Sequence, residues 1–154
     1  MIVYLQEELL SFDHFTIWDA QDNVLFSADR EFFNFGKKVT LADAAGHPAA
    51  AVQHIPFSIP PAFRLSIGTH ALTLSRRFAL FARRYTLDEL GWQVEGDFTG
   101  HDYEITRNGQ RVAVLQKAWP AFRDRYTLEV AEPNDLLPAI CAVIAIDCCD
   151  EQNN

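Results

Sequence analysis

Large apolar and polar residues alternate in short segments along the whole chain. The pattern is clearest at Val39-Thr40-Leu41, Tyr85-Thr86-Leu87 and Tyr126-Thr127-Leu128, where one polar residue stands between two apolar ones. Successive side chains of a β-strand point to opposite faces of a sheet, so alternation with period two indicates strands with one buried face. The chain is therefore predicted to consist mainly of half-buried strands.

A longer phrase surrounds two of these segments. Residues 76–87 read RRFALFARRYTL and residues 117–128 read KAWPAFRDRYTL, so aromatic residues recur at matching offsets before the same three-residue core. Turn-forming residues separate successive cores, and Asn108-Gly109 is the strongest hairpin signal among them. With an opening strand at Ile2–Gln6, the spacing predicts roughly twelve short strands.

The last apolar segment has a different pattern. Asn134 and Asp135 can cap a helix, and Leu136–Ile146 follows with apolar residues on every side. A helix without a polar face is buried on all sides or lies in lipid, and this one is too short to span a bilayer. A closed barrel of many strands has a lumen that strand side chains alone do not fill, and one apolar helix would fill it.

The predicted fold is mainly β: a closed antiparallel barrel of about twelve strands around one buried hydrophobic C-terminal α-helix. A β-sandwich with the helix packed across one open end is the alternative. Residues 1–154 are predicted to form a single domain, with a flexible tail at 150–154. In a meandering barrel, the connectors that join one hairpin to the next all fall at one end. We call this the connector end; it contains segments 76–84 and 117–125.

Charge and composition restrict the classes of function. The formal charge of −8 argues against nucleic-acid binding, which depends on neutralising phosphates. The N-terminal residues lack the pattern of a signal peptide, and no transmembrane segment is predicted. Cys141, Cys148 and Cys149 are expected to be reduced, because the first two are about 10 Å apart on a helix and a bond between neighbours would be strained. Together these features predict a cytoplasmic protein.

Motifs for catalysis are absent from the sequence. The five histidines are scattered without the spacing of a zinc site, and there is no GxSxG, phosphate-binding loop or GxGxxG segment. We therefore predict no catalytic residue, no metal site and no cofactor. An enzyme is the least favoured class of function.

Basic residues concentrate at the connector end. Segment 76–84 holds four arginines and no acidic residue, with aromatic side chains among them. One interpretation is that the arginine stems cover exposed aromatic surface while their charged heads stay in water. The other is a contact face for an anionic group. The predicted ligand-binding residues are Lys37, Lys38, Arg76, Arg77, Phe78, Phe81, Arg83, Arg84 and Trp119.

Four segments carry a resemblance to a known family: FGKKVTLADAAG at 35–46, WQVEGDF at 92–98, YEI at 103–105 before Asn108-Gly109, and AIDC at 145–148. They resemble the LURP-one-related family, whose members share the tubby-like fold with phospholipid scramblases. The resemblance covers nearly the whole chain and implies a twelve-stranded barrel around a hydrophobic C-terminal helix. It also implies a connection with lipids, because relatives in the wider superfamily bind phosphoinositides or are linked to lipid movement.

These observations predict a non-catalytic binding module in the cytoplasm that contacts the membrane surface transiently. The expected ligand is an anionic phospholipid head group or a phosphorylated small molecule bound at the connector end. The alternative is a protein–protein interaction module that meets an acidic partner at the same face. A pocket lined by two or more of the arginines would favour the small ligand, whereas a flat aromatic face would favour a protein.

Overall fold

The computed structural model describes residues 1–8, 11–33, 36–97, 102–117 and 125–152. Within these ranges the chain forms twelve β-strands, short 3-10 helices at Asp88–Leu90 and Pro133–Asp135, and one α-helix, α1, at Leu136–Gln152. The strands β1 to β12, in chain order, are Ile2–Glu8, Ser11–Asp19, Val24–Phe33, Gly36–Asp43, Pro48–His54, Ala62–Ile67, His70–Arg77, Arg83–Leu87, Trp92–Gly96, Asp102–Arg107, Gln110–Lys117 and Arg125–Val130.

The sheet is antiparallel and closes on itself. Each strand pairs with its neighbours in the chain, and the first strand also pairs with the last. On β1, Val3 lies opposite Asp19 of β2 on one side and opposite Leu128 of β12 on the other. The predicted closed barrel is confirmed, and the sandwich alternative is wrong because the two outer strands of the meander are joined.

The core consists of the inward side chains of the strands and the segment of α1 from Ala139 to Ile146. On β8, for example, Tyr85 and Leu87 are buried while Arg84 is exposed, as the alternation of a strand requires. All residues from Ala139 to Ile146 are buried. Successive residues of an α-helix are about 100° apart, so such a run is covered on every side. The helix therefore occupies the lumen of the barrel, as the sequence predicted.

The helix is longer than the sequence pattern indicated. The apolar run predicts a helix to Ile146, but α1 continues to Gln152. The pattern stops at Asp147 because this residue is polar, yet its carboxylate has partners inside the barrel. The tail predicted at 150–154 stays a prediction: residues 150–152 belong to α1, and residues 153–154 lie outside the described residues. No helix in the described ranges is long and apolar enough to cross a membrane.

Tight turns join the strands at the barrel end opposite the connector end. Two of them are closed by aspartates rather than by glycine alone. Asp19 Oδ1 accepts hydrogen bonds from the backbone N–H groups of Gln21 and Asn23, and Asp43 Oδ1 accepts them from Ala45 and His47. The bonds from Asn23 and His47 are the main causes that hold the pKa of Asp19 and Asp43 below the ordinary value of 3.8. These aspartates therefore act as turn formers in the ionised state.

Candidate functional site

The predicted basic residues occupy strand ends that meet at the connector end. The four arginines lie on the adjacent strands β7 and β8, whereas the two lysines lie on β4, three strand spacings or roughly 15 Å away along the sheet. The structure thus brings the arginines together and leaves the lysines on another part of the same barrel end. In order, these residues are Lys37 and Lys38 on β4, Arg76 and Arg77 on β7, and Arg83 and Arg84 on β8.

The arginine run is divided between the two faces of the sheet. Arg76 lies opposite the buried Tyr85, and Arg77 lies opposite Arg84. Directly opposed residues share a face, so Arg76 is on the inner face at the rim of the barrel, and alternation places Arg83 there too. Arg77 and Arg84 share the outer face and are both exposed. In the sequence the four arginines belong to one basic segment. The strand geometry divides them into an inner pair, Arg76 and Arg83, and an outer pair, Arg77 and Arg84.

The outer pair has carboxylate neighbours. Arg77 Nε donates a hydrogen bond to Thr86 Oγ1 (2.9 Å), and its Nη2 lies 3.4 Å from Asp88 Oδ2. Arg84 Nη2 lies 3.7 Å from Glu95 Oε1. All four charged side chains are well exposed, and ion pairs of this kind contribute about 0–1 kcal/mol each. An anionic ligand can therefore replace these carboxylates at small cost.

An open groove of about 730 Å³ runs beside the outer pair across β8, β9 and β10. Its volume lies in the range of ligand-binding clefts. Polar side chains and charged side chains of both signs form most of its lining. The charged and aromatic lining residues are Arg77, Phe78, Arg84, Tyr85, Glu95, Asp97 and Glu104.

Two loops at the connector end expose large apolar side chains. The exposed fractions are 91% for Phe57 and 96% for Ile59 in the loop between β5 and β6, and 87%, 74% and 83% for Phe78, Leu80 and Phe81 in the loop between β7 and β8. We call these five side chains the apolar tip. The loops are neighbours, because the strands that lead into and out of them are adjacent in the sheet.

Phe78 and Phe81, two of the predicted ligand-binding residues, are exposed at the connector end, whereas Trp119 lies outside the described residues. Sequence reasoning missed Phe57, Ile59 and Leu80. A signal for the first two was present in the segment IPFSIPP at 55–61. A segment so rich in proline does not form a regular strand, so its apolar side chains have no sheet face on which to be buried.

The loop from 55 to 61 is held by its own hydrogen bonds. The backbone N–H of Ile55 donates to Ala62 O (2.9 Å), and the Ser58 hydroxyl donates to Ile55 O (2.7 Å) while it accepts from the N–H of Ala62 (3.0 Å). The N–H of Arg76 donates to Pro61 O (3.1 Å), which ties this loop to β7. The apolar side chains are therefore presented by a fixed backbone.

Charge is distributed unevenly around the barrel. Residues 44–87 contain five arginines and no Asp or Glu, a formal charge of +5, although the whole chain has 21 acidic residues. The remaining residues hold eight Lys and Arg against all 21 acids, a formal charge of −13. Residues 44–87 include the adjacent strands β5 to β8 and both loops of the apolar tip. We call this part of the barrel the basic sector.

A polar cluster lies inside the barrel near the C-terminal part of α1. Tyr126 Oη donates a hydrogen bond to Asp147 Oδ1 (2.8 Å), and Arg30 Nη2 lies 3.6 Å from Asp147 Oδ2. The Arg30 side chain is almost fully buried, with its guanidinium carbon 5.1 Å from the centre of the Phe15 ring. Arg30 therefore pairs with the central helix and does not belong to the exposed contact face.

The chemistry of the remaining titratable groups is limited. Among the residues that the structure describes, no group of three His, Cys, Asp or Glu side chains is arranged to hold a metal ion. The side chains of Cys141 and Cys148 are buried in α1, and the side chain of Cys149 lies outside the described part. Burial raises the pKa of Cys141 to about 12, which makes it unreactive at neutral pH.

Comparisons with known proteins agree with this architecture. The protein YxjI of Bacillus subtilis (strain 168), which is described as uncharacterised, is 26% identical over 147 residues that cover 94% of this chain and 89% of YxjI. An Arabidopsis thaliana protein with an X-ray structure is similar with a TM-score of 0.65 and 16% identity over 99% of this chain and 91% of its own. At that identity the likeness concerns the fold alone.

The model of one protein family, described as LURP-one-related, matches residues 1–147, which is nearly the whole chain. The match includes every strand of the barrel and most of the central helix. It agrees with the resemblance of segments 35–46, 92–98, 103–105 and 145–148. This chain is a member of the LURP-one-related family.

Proposed function

We propose that this protein is a non-catalytic binding module that recognises a phosphate-bearing anion at the connector end, either a lipid head group or a phosphorylated small molecule. The observation that carries the proposal is the groove of about 730 Å³ with Arg77 and Arg84 in its lining. A pocket with two of the predicted arginines was the feature expected to favour a small anionic ligand over a protein. The setting we propose is the cytoplasm, with transient contact at the membrane surface.

The position of the two arginines supports binding of an anion. Arg77 and Arg84 lie directly opposite each other on the outer face of β7 and β8. Like charges in this arrangement destabilise a sheet, and Asp88 and Glu95 offset the repulsion from the outside. Guanidinium groups offer paired N–H donors that match the oxygens of a phosphate. A phosphate between the two side chains would neutralise both charges with shorter hydrogen bonds than the carboxylates make.

The acidic side chains of the groove restrict the ligand. Glu95, Asp97 and Glu104 line the part of the groove that lies on β9 and β10. A bare polyanion would be repelled by them, whereas a ligand with its phosphate at the arginines and hydroxyl or ammonium groups toward the carboxylates would suit both ends. Phospholipid head groups and phosphorylated polyols have this combination of groups.

A matched pair of substitutions tests this proposal. Arg84→Gln and Arg64→Gln each remove one exposed arginine from the basic sector, but only Arg84 lines the groove. A charge-assisted hydrogen bond contributes about 1.5–3 kcal/mol, so Arg84→Gln should weaken binding roughly tenfold or more. Arg64→Gln should weaken it by about fivefold at most, because it changes only the general field, to which one basic residue contributes about 1 kcal/mol.

Binding should be measured by titration calorimetry with a soluble inositol phosphate and by co-sedimentation with vesicles. The vesicles should contain phosphatidylcholine alone, or with phosphatidylserine or a phosphoinositide. Binding of the soluble ligand would identify a free phosphorylated molecule as sufficient, and binding to anionic vesicles alone would identify the lipid. Equal losses in the two variants would refute the groove as the site. If neither ligand binds, the protein-interaction alternative replaces the proposal, with an acidic partner as its expected ligand.

A further inference from the structure

We infer that the apolar tip inserts into the interfacial region of a lipid bilayer when the basic sector meets an anionic membrane surface. The inference deepens the proposed function and rests on its lipid form. Four of the five side chains of the apolar tip, all except Phe78, lie outside the lining of the groove, and the force is different: burial of apolar surface rather than recognition of a phosphate.

The first observation is the concentration of exposed apolar side chains. In the described residues, the five most exposed large apolar side chains are those of the apolar tip, at 74–96%. Others, such as Val24 at 43%, lie at the opposite barrel end and are far less exposed. Single exposed apolar residues are ordinary in soluble proteins, whereas several on two adjacent loops mark an interaction surface.

The second observation is the charge around the tip. Both loops belong to the basic sector, residues 44–87, which contains no acidic residue. Arg76 and Arg77 precede the loop at 78–82, and Arg83 and Arg84 follow it. The rest of the chain has a formal charge of −13 and is repelled by an anionic surface. The field of the protein would therefore orient the basic sector, and with it the apolar tip, toward the membrane.

The third observation is the construction of the loop at 55–61. Insertion of a loop into lipid is unfavourable when its backbone N–H and C=O groups lose their hydrogen bonds to water. Here Pro56, Pro60 and Pro61 have no N–H group, and bonds involving Ile55, Ser58 and Ala62 are made within the loop. Of the seven residues at 55–61, only four have an N–H group, and those of Ile55 and Ser58 donate to the carbonyls of Ala62 and Ile55, so the backbone that presents Phe57 and Ile59 has few N–H groups left for water. This feature favours a lipid surface over an aqueous ligand.

These observations select an anionic bilayer as the partner. A second copy of this chain would bring two basic sectors together, with five arginines on each side. A bilayer with anionic lipids suits both features: its phosphates would pair with the arginines, and its acyl chains, which lie deeper, would cover the apolar side chains. Because electrostatic attraction is screened by salt and apolar burial is not, binding should be partly resistant to salt.

The test compares variants of the tip with a control at the other barrel end. Leu80→Ser with Phe81→Ser removes two exposed apolar side chains that do not line the groove, and Val24→Ser changes an exposed apolar residue far from the tip. With vesicles of phosphatidylcholine and phosphatidylserine, the double variant should bind at least about tenfold more weakly than wild type. Val24→Ser should bind within about twofold of wild type, and thermal melting should show that all three proteins are folded.

A second measurement detects insertion directly. Leu80→Trp places a fluorophore in the tip, and vesicles with lipids brominated on the acyl chains quench only a tryptophan that reaches them. Quenching above the wild-type background, retained at 0.5 M salt, is the expected result. Absence of added quenching, together with unchanged binding of the Leu80→Ser/Phe81→Ser protein, would overturn the inference.

The outcomes separate this inference from the proposed function. If binding requires anionic lipid and Arg84 but not the tip, the proposed function stands and insertion is refuted. If the tip variants lose binding to zwitterionic and anionic vesicles equally, and wild type shows no preference, the anion site and the anionic partner are both refuted and only insertion of the apolar tip stands. If the tip instead causes self-association, seen by light scattering and abolished by Leu80→Ser/Phe81→Ser, with no vesicle binding, the membrane is the wrong partner.

Discussion

Replacement of Ile140 by aspartate tests whether α1 is enclosed by the barrel. Ile140 lies near the middle of the buried run and is fully buried. The substitution removes apolar burial that stabilises the fold by about 1.5–3 kcal/mol. It also places a carboxyl group among apolar side chains, which costs at least about 2 kcal/mol more even when the group is neutral. The total of roughly 4–5 kcal/mol or above is comparable with the whole stability of many domains.

The assay is urea unfolding followed by circular dichroism, with a graded series at the same site. Ile140→Val should cost about 0.5–1.5 kcal/mol and Ile140→Ala about 2–5 kcal/mol, whereas Ile140→Asp should leave little folded protein. Val24→Asp serves as control, because Val24 is exposed and its replacement should cost less than about 1 kcal/mol. If Ile140→Asp unfolds within 1 kcal/mol of wild type, α1 is not enclosed and the filled barrel is wrong.

Three further predictions concern stability and reactivity. A Cβ atom on Gly96 would lie 2.3 Å from Cε1 of the buried Tyr103, so Gly96→Ala should destabilise the fold by about 1–3 kcal/mol in a thermal melt, and an unchanged melt would contradict that packing. Cys141 and Cys148 should react with a thiol reagent only after unfolding, because both are buried. Rapid labelling of either of these two residues in the native protein, located by mass spectrometry, would contradict this. The pKa of Asp43 is lowered in the folded state, so its ionised carboxylate stabilises the fold above pH 3.8, and this contribution is lost as the pH falls through the folded-state pKa. The difference in the free energy of unfolding between wild type and Asp43→Ala should therefore become smaller below pH 3.8. A difference that does not change with pH would exclude ionisation of Asp43 as its source.

The strands and the central helix were predictable because their patterns are local. A polar residue between two large apolar ones fixes which face of a strand is buried, and a run with no polar face requires an enclosed helix. The end of α1 was not predictable, because Asp147 looks like the first solvent-exposed residue. Only the folded barrel brings Tyr126 and Arg30 to its carboxylate.

The candidate site was predictable in its location but not in its form. Segment 76–84 indicates a basic and aromatic surface, yet the opposed positions of Arg77 and Arg84 depend on the register of β7 against β8. Likewise, the absence of acidic residues from 44–87 can be read from the sequence, but it becomes a surface property only when β5 to β8 lie side by side. Phe57 and Ile59 were missed because their signal is the set of prolines in the segment at 55–61, which prevents a regular strand, and not a basic or aromatic run like that at 76–84.

Hydrogen–deuterium exchange measured with and without anionic vesicles tests the central claim that the connector end is the contact face. If the connector end is the contact face, backbone amides should exchange more slowly after vesicles are added in the loops at 55–61 and 78–82 and at the adjoining ends of β7 and β8. Exchange rates should not change in the turns at the opposite end, such as Asp43–His47. Protection confined to that opposite end, or spread evenly over the barrel, would contradict the claim that the connector end is the contact face.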